Sequence, residues 1–206
     1  RVQNLVAIVT GAGAGIGQAS AVRLAEEGAT VVCADRNSGS LEITKKLIAD
    51  LNLHSESYVI DISESKSCDE LVAHTVNSYG SIDILVNNAA TNPVYGPVLD
   101  CEEWAFDKIM NINVKAPFEI SKLVHPIMKL RGGGSIINIS SIAGLTPDPG
   151  LGIYSVSKAA LNMLTKVTAK EWGSDGIRVN SICPGLIKTK FSEALWQNEQ
   201  VLNHFV

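Results

Sequence analysis

Tyr154 and Lys158 form the residue pair in this chain whose types and spacing best fit proton transfer. They lie four residues apart in a segment with a helical pattern, so both side chains fall on one face of the helix. The pKa of a free phenol is about 10, and a nearby ammonium group lowers it because the positive charge favours the phenolate. Ser141, thirteen residues upstream, supplies a hydroxyl, and the three groups together could move a proton to or from a substrate oxygen. The alternative is an accidental pair on a surface helix.

A glycine-rich loop near the start of the chain has the pattern of a phosphate-binding loop. An apolar run at residues 5–9 leads into it, and a helical pattern follows. Gly11, Gly15 and Gly17, with Ile16 between the last two, fit G-x-x-x-G-x-G and do not fit G-x-G-x-x-G. Glycines let the backbone pass close to a pyrophosphate, and the helix N-terminus offers free N–H groups. The alternative is a flexible turn.

Asp35 ends the next apolar run and bears on the choice of dinucleotide. It lies eighteen residues after Gly17, near the interval of about 20 for an acid that bonds the adenosine ribose hydroxyls. A carboxylate there accepts from a 2′-hydroxyl and repels a 2′-phosphate, which predicts NAD. Arg36 follows directly and is suited to a 2′-phosphate, so NADP remains open. The alternative for Asp35 is a turn residue at a strand end.

Predicted strands and helices alternate along the chain. The strands are predicted at 4–10, 29–35, 56–60, 82–87, 135–140 and 177–183, and the helices at 15–28, 39–52, 64–79, 100–130 and 153–172. Alternation with nearly continuous apolar strands predicts an α/β fold with a parallel sheet covered on both faces. We expect Pro117 and Pro126 to kink or split the helix at 100–130. The length and the absence of a linker predict a single domain over residues 1–206.

Composition argues against several function classes. The net charge of −4 and the lack of a basic tract argue against a nucleic-acid partner. The sequence has no membrane-length apolar stretch and no signal-peptide pattern. The four cysteines show neither C-x-x-C nor metal-ligand spacing, so we expect reduced thiols, no metal site and a cytoplasmic location.

Taken together, these motifs resemble the classical short-chain dehydrogenase/reductase family over essentially the whole chain. Beyond the glycine loop, the resemblance rests on Asp61, followed by Ile62, on Asn88 in the run Asn-Asn-Ala-Ala, and on Asn113. It also rests on Ser141, Tyr154, Lys158 and the segment 184–189, which includes Ile187 and Thr189. The resemblance implies a doubly wound Rossmann-type sheet and a catalytic tetrad of Asn113, Ser141, Tyr154 and Lys158. It also implies that cofactor contacts come from Gly11, Gly15, Ile16, Gly17, Asp35, Arg36, Asp61, Ile62, Asn88, Tyr154, Lys158, Ile187 and Thr189.

The implied reaction is reversible hydride transfer between NAD(P)(H) and a carbonyl or secondary alcohol. Tyr154 would be the acid or base, Lys158 would lower its pKa and bond the nicotinamide ribose, and Ser141 would donate to the substrate oxygen. Asn113 would hold a water linking Lys158 to solvent. Segments at 88–93, 131–135 and 184–192 resemble a carbonyl-reductase subgroup that usually uses NADP, a pattern from which Asp35 departs.

Other functions on this fold need different features. A 3-oxoacyl-thioester reductase would be favoured by NADPH use and a basic patch for a carrier protein. A sugar-nucleotide epimerase would need a longer chain and another glycine spacing. A non-catalytic nucleotide sensor would normally have lost part of the tetrad, which is present here in full.

The substrate pocket is expected to be apolar, with a lid in residues 186–206. Its candidate residues are Asn92, Pro93, Tyr95, Leu145, Asp148, Pro149, Leu186, Phe191, Leu195 and Trp196, with Val201 and Leu202 continuing the lid. The family usually has a further helix and strand beyond this point, so the last strand is expected to be missing from the chain.

Apolar residues on two helices predict self-association. They are Trp104, Phe106, Ile109, Phe118, Leu123 and Met128 on the helix at 100–130, and Leu161, Met163, Leu164 and Val167 on the helix at 153–172. Excess apolar surface on outer helices usually marks an interface, and family members commonly pair there, which predicts a homodimer or homotetramer. The alternative is that these residues all face the sheet.

Overall fold

The structure is a computed structural model that describes residues 1–197. Six parallel strands form its centre. The strands are β1 (Val6–Thr10), β2 (Thr30–Asp35), β3 (Ser55–Val59), β4 (Ile84–Asn87), β5 (Gly134–Ile139) and β6 (Ile177–Ile182). They pair in the order β3-β2-β1-β4-β5-β6, every pair parallel. The predicted α/β fold with a doubly wound parallel sheet is therefore confirmed.

Helices cover both faces of this sheet. They are α1 (Gly15–Glu26), α2 (Ser38–Ala49), α3 (Ser65–Tyr79), α4 (Glu103–Met110), α5 (Ala116–Leu130), α6 (Gly152–Trp172) and the short α7 (Glu193–Trp196). One core packs α1 and α2 against one face, around residues such as Val31 and Leu41, and the other packs α3 and α5 against the opposite face, around Ile8 and Ile120. Residues of β1 alternate between the two cores, because successive side chains of a strand point to opposite faces.

The strand order reverses between β1 and β4, which are neighbours although α1, β2, α2, β3 and α3 lie between them in sequence. Loops that leave the carboxyl ends of two such strands diverge to opposite faces and open a crevice, where ligands bind in folds of this kind. The loops after β1 and β4 begin at Gly11 and Asn88, so the predicted glycine loop lies at this crevice.

The predicted helix at 100–130 differs from the structure. Residues 98–100 form a 3₁₀ turn, α4 begins at Glu103, and a π-helical turn (Asn111–Lys115) joins α4 to α5. Pro117 lies in the first turn of α5, where its missing N–H costs no helical bond, whereas Pro126 lies within α5 without ending it. The disruption expected at the prolines therefore occurs just before Pro117 and takes the form of a π turn.

Within residues 1–197, no helix is long and apolar enough to cross a membrane. The four cysteines are free thiols, two of them buried. No group of three or more His, Cys, Asp or Glu side chains in the described part of the chain is arranged to hold a metal ion. The lid residues Val201 and Leu202 lie outside the described residues.

Candidate active site

A cavity of about 490 Å³ runs along the carboxyl edge of the sheet and gathers most of the predicted site residues. Predicted cofactor residues that line it are Gly11, Gly15, Ile16, Asp35, Arg36, Asp61, Ile62, Asn88, Ile187 and Thr189, together with Ser141, Tyr154 and Lys158 of the predicted tetrad. Predicted substrate residues that line it are Asn92, Pro93, Tyr95, Asp148, Leu186, Phe191 and Leu195. Two groups of residues far apart in sequence thus share one cavity.

The glycine loop turns from β1 directly into the N-terminus of α1. Gly15, the first residue of the helix, has a φ of +57°, a backbone conformation that favours glycine. No acidic residue lies in the first turn of α1, so its positive end is free to attract an anion. Loop and helix end together have the geometry and charge of a phosphate cradle.

Gly17 has a packing role in this loop. It does not line the cavity and is buried, and a Cβ at this position would lie 2.2 Å from the Gly11 carbonyl oxygen and 2.4 Å from Asn88 Nδ2. The third glycine therefore lets α1 approach the end of β1, which is the role glycine has in close helix–strand packing.

Asn88 fastens the loop to the neighbouring strand. Its Nδ2 donates to the carbonyl oxygens of Thr10 and Gly11 at 3.0 and 3.1 Å, while its backbone N–H donates to Thr10 Oγ1 at 3.0 Å. Thr10 Oγ1 in turn donates to the Val86 carbonyl. Asn88 therefore supports the shape of the cofactor loop, in addition to lining the cavity.

Asp35 and Asp61 mark the far end of the cavity. Asp35 Oδ2 accepts from the backbone N–H of Gly13 at 3.0 Å, and Oδ1 accepts from Asn37 N–H at 2.9 Å. The Ser63 backbone N–H donates to Asp61 Oδ1 at 2.9 Å and, with more distant charge from Arg36, holds the pKa of Asp61 below its usual value. This end of the cavity therefore combines two carboxylates with one guanidinium.

Ser141, Tyr154 and Lys158 meet at the opposite end. Lys158 Nζ lies 5.6 Å from the centroid of the Tyr154 ring and donates to the Ile139 carbonyl at 2.8 Å. Ser141 Oγ accepts from the backbone N–H of Ala143 at 3.1 Å, which leaves its own proton for another acceptor. A phenol, an ammonium group and a hydroxyl therefore line the same wall, as the sequence predicts.

Burial is the main cause of the pKa shifts of Tyr154 and Lys158. Burial raises the pKa of Tyr154 above its usual value, and the nearby Ser141 hydroxyl acts in the opposite direction without cancelling it. Burial also lowers the pKa of Lys158 from 10.5 to about 8. Lys158 is not among the causes of the Tyr154 shift, so the expected lowering of the phenol pKa by Lys158 stays a prediction.

Asn113 lies apart from the cavity and is fully buried in the π-helical turn. Its Oδ1 accepts from the backbone N–H of Thr91 at 2.8 Å, and its Nδ2 donates to the Thr91 carbonyl and to Ser157 Oγ at 2.9 and 3.0 Å. The side chain thus ties the loop after β4 to α6. Its expected role as the holder of a water stays a prediction.

Besides the bond from Lys158 Nζ to Ile139, two hydrogen bonds attach α6 to β5 and to Ser140, the residue that follows it. Asn138 Nδ2 donates to Thr165 Oγ1 at 2.9 Å, and Ser140 Oγ donates to the Lys158 carbonyl at 3.1 Å. Neither residue was singled out from the sequence, although the polar Asn138 inside an otherwise apolar run was a usable signal. These bonds fix the position of the helix that carries Tyr154 and Lys158.

The segment after β6 folds over the cavity. Trp196 Nε1 donates to the Thr189 carbonyl at 2.9 Å, and Thr189 N–H donates to Ser192 Oγ at 3.1 Å. The Phe191 ring lies 6.2 Å from that of Tyr154. Three residues predicted for the pocket, Leu145, Pro149 and Trp196, do not line it. Trp196 instead stabilises the segment through its hydrogen bond to the Thr189 carbonyl.

This chain is similar to known dehydrogenases and reductases over most of its length. The model of the short chain dehydrogenase family matches residues 5–200, so the chain belongs to that family of oxidoreductases. Dehydrogenase/reductase SDR family member 4 of Oryctolagus cuniculus is 45% identical over 196 residues, which cover 95% of this chain and 75% of the relative.

Solved structures of the same family superpose closely. NAD⁺-bound xylitol dehydrogenase has a TM-score of 0.87 and 35% identity, over 90% of this chain and 71% of the other. Levodione reductase has a TM-score of 0.91 and 33% identity, over 94% of this chain and 76% of the other.

Proposed function

We propose that this protein transfers a hydride between a nicotinamide dinucleotide and a carbonyl or secondary alcohol, with Tyr154 as the acid or base. The observation that carries the proposal is the continuous cavity that joins the glycine loop and Asp35 to Ser141, Tyr154 and Lys158. The dinucleotide supplies the hydride chemistry when it is bound. The glycine cradle at the N-terminus of α1 and the acid at the end of β2 fit its pyrophosphate and its ribose.

In the reducing direction, the Tyr154 hydroxyl gives its proton to the substrate oxygen while the Ser141 hydroxyl donates a hydrogen bond to it. In the oxidising direction the phenolate takes that proton back. Burial lowers the pKa of Lys158 to about 8, which is still above neutral pH, so Lys158 is largely protonated there. Its charge then stabilises the phenolate as it forms. The Asn113 side chain is already bonded to Thr91 and Ser157, so its expected role in holding a water stays a prediction.

Substitution of Tyr154 tests the chemical step. Tyr154→Phe keeps the ring and removes the acid, so we expect kcat to fall by about 10²–10⁴-fold while the dissociation constant for the dinucleotide changes little. Tyr79→Phe is the matched control, because it removes a phenol hydroxyl that bonds Glu56 outside the cavity. Retention of a tenth or more of kcat by Tyr154→Phe would overturn the proton-transfer role.

We propose that NAD(H) is preferred over NADP(H), with Asp35 as the determinant. A 2′-phosphate at the end of β2 would meet the Asp35 carboxylate, whereas Arg36, exposed beside it, offers partial compensation. Fluorescence titration of NADH and NADPH measures the preference, and Asp35→Asn should reduce it by removing the charge at nearly constant shape. Equal or tighter binding of NADPH to the unmodified protein would contradict this assignment.

The substrate end of the cavity favours an apolar carbonyl compound. Apolar side chains line it, among them Ile142, on the turn after β5, and Leu186, Phe191 and Leu195. An activity panel of aliphatic ketones, cyclic ketones, sugars and 3-oxoacyl thioesters tests this proposal. A preference for sugars would contradict it, and a preference for 3-oxoacyl thioesters with NADPH would favour the acyl-reductase alternative.

We also propose that the protein self-associates through α4, α5 and α6. The predicted apolar residues fall into three groups: Ile109, Met128 and Leu161 are buried in the fold, Leu123 and Leu164 are half-buried, and five are exposed, namely Trp104, Phe106, Phe118, Met163 and Val167. The exposed group supports an interface, since exposed apolar residues on outer helices lose water contact when two chains meet. Light scattering distinguishes a dimer from a monomer, and a monomer at micromolar concentration would overturn the proposal.

A further inference from the structure

A second cavity, of about 280 Å³, adjoins the active-site cavity at its substrate end. Asn92, Val94, Tyr95 and Leu151 line both cavities. Leu151 precedes Tyr154 by three residues, about one helical turn, so the second cavity begins close to the reacting end of the first. Much of the remaining wall of the second cavity is apolar, with Pro97, Val98 and Ile153 among its residues.

Tyr95 lines both cavities, and its ring lies against a glycine. A Cβ at Gly150 would lie 2.6 Å from Tyr95 Cζ, and the φ of Gly150 is +84°, so this close approach needs glycine. The backbone N–H of Gly96 donates to the Gly150 carbonyl at 3.0 Å. The Tyr95 hydroxyl donates to the Pro149 carbonyl at 3.4 Å, a long contact that adds little. Ring packing on Gly150, more than the hydroxyl, therefore positions Tyr95.

We infer that Tyr95 is a specificity-determining residue that limits the length of the substrate. Resting on the proposed function, this inference places the carbonyl group at Tyr154 and an apolar chain along the cavity as far as the Tyr95 ring. Beyond the ring, the second cavity has space for further methylene groups along Pro97, Val98 and Ile153, with Asp100 as the one acidic residue among the described residues that line it. Removing the ring joins the two cavities and extends the acceptable chain.

The test uses straight-chain 2-ketones from butanone to decanone, with kcat/KM normalised to each protein's own butanone value. Each methylene that enters an apolar cavity improves kcat/KM about fourfold, and the gain stops where the wall is reached. In the unmodified protein we expect the normalised kcat/KM to level off or fall for ketones whose chain is long enough to reach the Tyr95 ring. In Tyr95→Ala we expect the rise to continue for further methylenes, with a relative gain of about tenfold or more for the longest ketones.

Two variants separate the ring from its hydroxyl. Tyr95→Phe keeps the ring on Gly150 and should keep the chain-length limit, whereas Gly150→Ala pushes the ring aside and should shift the limit in the direction of Tyr95→Ala. Tyr95 is 53% exposed, so its replacement leaves the cores intact, which thermal unfolding verifies. A limit that moves in Tyr95→Phe as far as in Tyr95→Ala would overturn the role of the ring.

Binding of unreactive chains keeps the two proposals separate. Calorimetry of straight-chain primary amides in the presence of the dinucleotide gives a dissociation constant for each chain length without turnover. If no protein reduces any ketone, the proposed function fails, and the amide series still decides the role of Tyr95. The same chain-length profile in the unmodified protein and in Tyr95→Ala, for ketones or for amides, overturns this inference.

Discussion

Lys158 should lower the stability of the fold at neutral pH while it serves the reaction. The side chain is buried, and Nζ is held by the Ile139 carbonyl. Lys158→Met keeps a flexible chain of similar length and removes the charge. We expect this variant to lose turnover and, without bound dinucleotide, to be more resistant to unfolding at pH 7 than the unmodified protein.

The magnitude follows from the pKa of Lys158. Burial lowers it from 10.5 to about 8, a difference that corresponds to about 3 kcal/mol. Between these values the unfolded chain holds a proton that the folded protein has released, so the free energy of unfolding rises with pH. Below pH 8 both states are protonated and the full cost remains. The variant leaves the Ile139 carbonyl without this donor, a loss of about 1–2 kcal/mol, so its net advantage at pH 7 is about 1–2 kcal/mol.

Urea unfolding at a series of pH values from 7 to above 10 measures this effect. The quantity to plot is the free energy of unfolding of Lys158→Met minus that of the unmodified protein, at equal protein concentration. It should fall by about 3 kcal/mol across the interval from about 8 to 10.5, since the lost hydrogen bond is independent of pH. Lys166→Met, at an exposed position of the same helix, controls for the loss of one lysine. A difference that stays constant with pH would refute the reasoning.

Two further substitutions test the supports of the site. Gly17→Ala places a methyl group against the Gly11 carbonyl and the Asn88 amide, so we expect a loss of about 1–3 kcal/mol in urea unfolding and weaker NADH binding by fluorescence. Unchanged binding would contradict the role of Gly17 in shaping the loop. Asn113→Ala leaves the Thr91 backbone groups without their side-chain partner, and we expect about 2–4 kcal/mol of destabilisation in the same assay. A loss of activity without loss of stability would instead favour a direct role for Asn113.

The sheet was predictable because its signal is local. Strands β1, β2, β4 and β5 are short, mainly apolar runs, and all six predicted strands occur with ends displaced by up to two residues. The helix at 100–130 was harder to predict. Its π turn is stabilised by the bonds that Asn113 makes with Thr91, twenty-two residues away in sequence. Helical periodicity contains no information about such a partner.

The candidate site was predictable in its residue types but not in their environments. Tyr154 and Lys158 are recognisable from their spacing, yet whether lysine charge or burial governs the phenol depends on the packing of β5 and α6 around them. Asn88 was expected to contact the cofactor, and its side chain is engaged with the carbonyls of Thr10 and Gly11. Gly17 was expected to contact the cofactor and instead allows a close helix–strand contact. These differences arise from tertiary neighbours, which one sequence does not reveal.

The hydrogen bonds between α6 and the end of β5 hold the helix that carries Tyr154 independently of the loops around the substrate end. Asn138 and Ser140 hold Thr165 and the Lys158 carbonyl, seven residues apart on one side of the helix, so α6 has little freedom to slide or turn relative to the sheet. The segments at 92–97 and 186–197, which surround the substrate end, take no part in these attachments. Mutations there can accumulate, in nature or in a designed library, and change what is recognised while Tyr154 keeps its position. The same fold can therefore acquire new substrates while the general acid, Tyr154, stays in place.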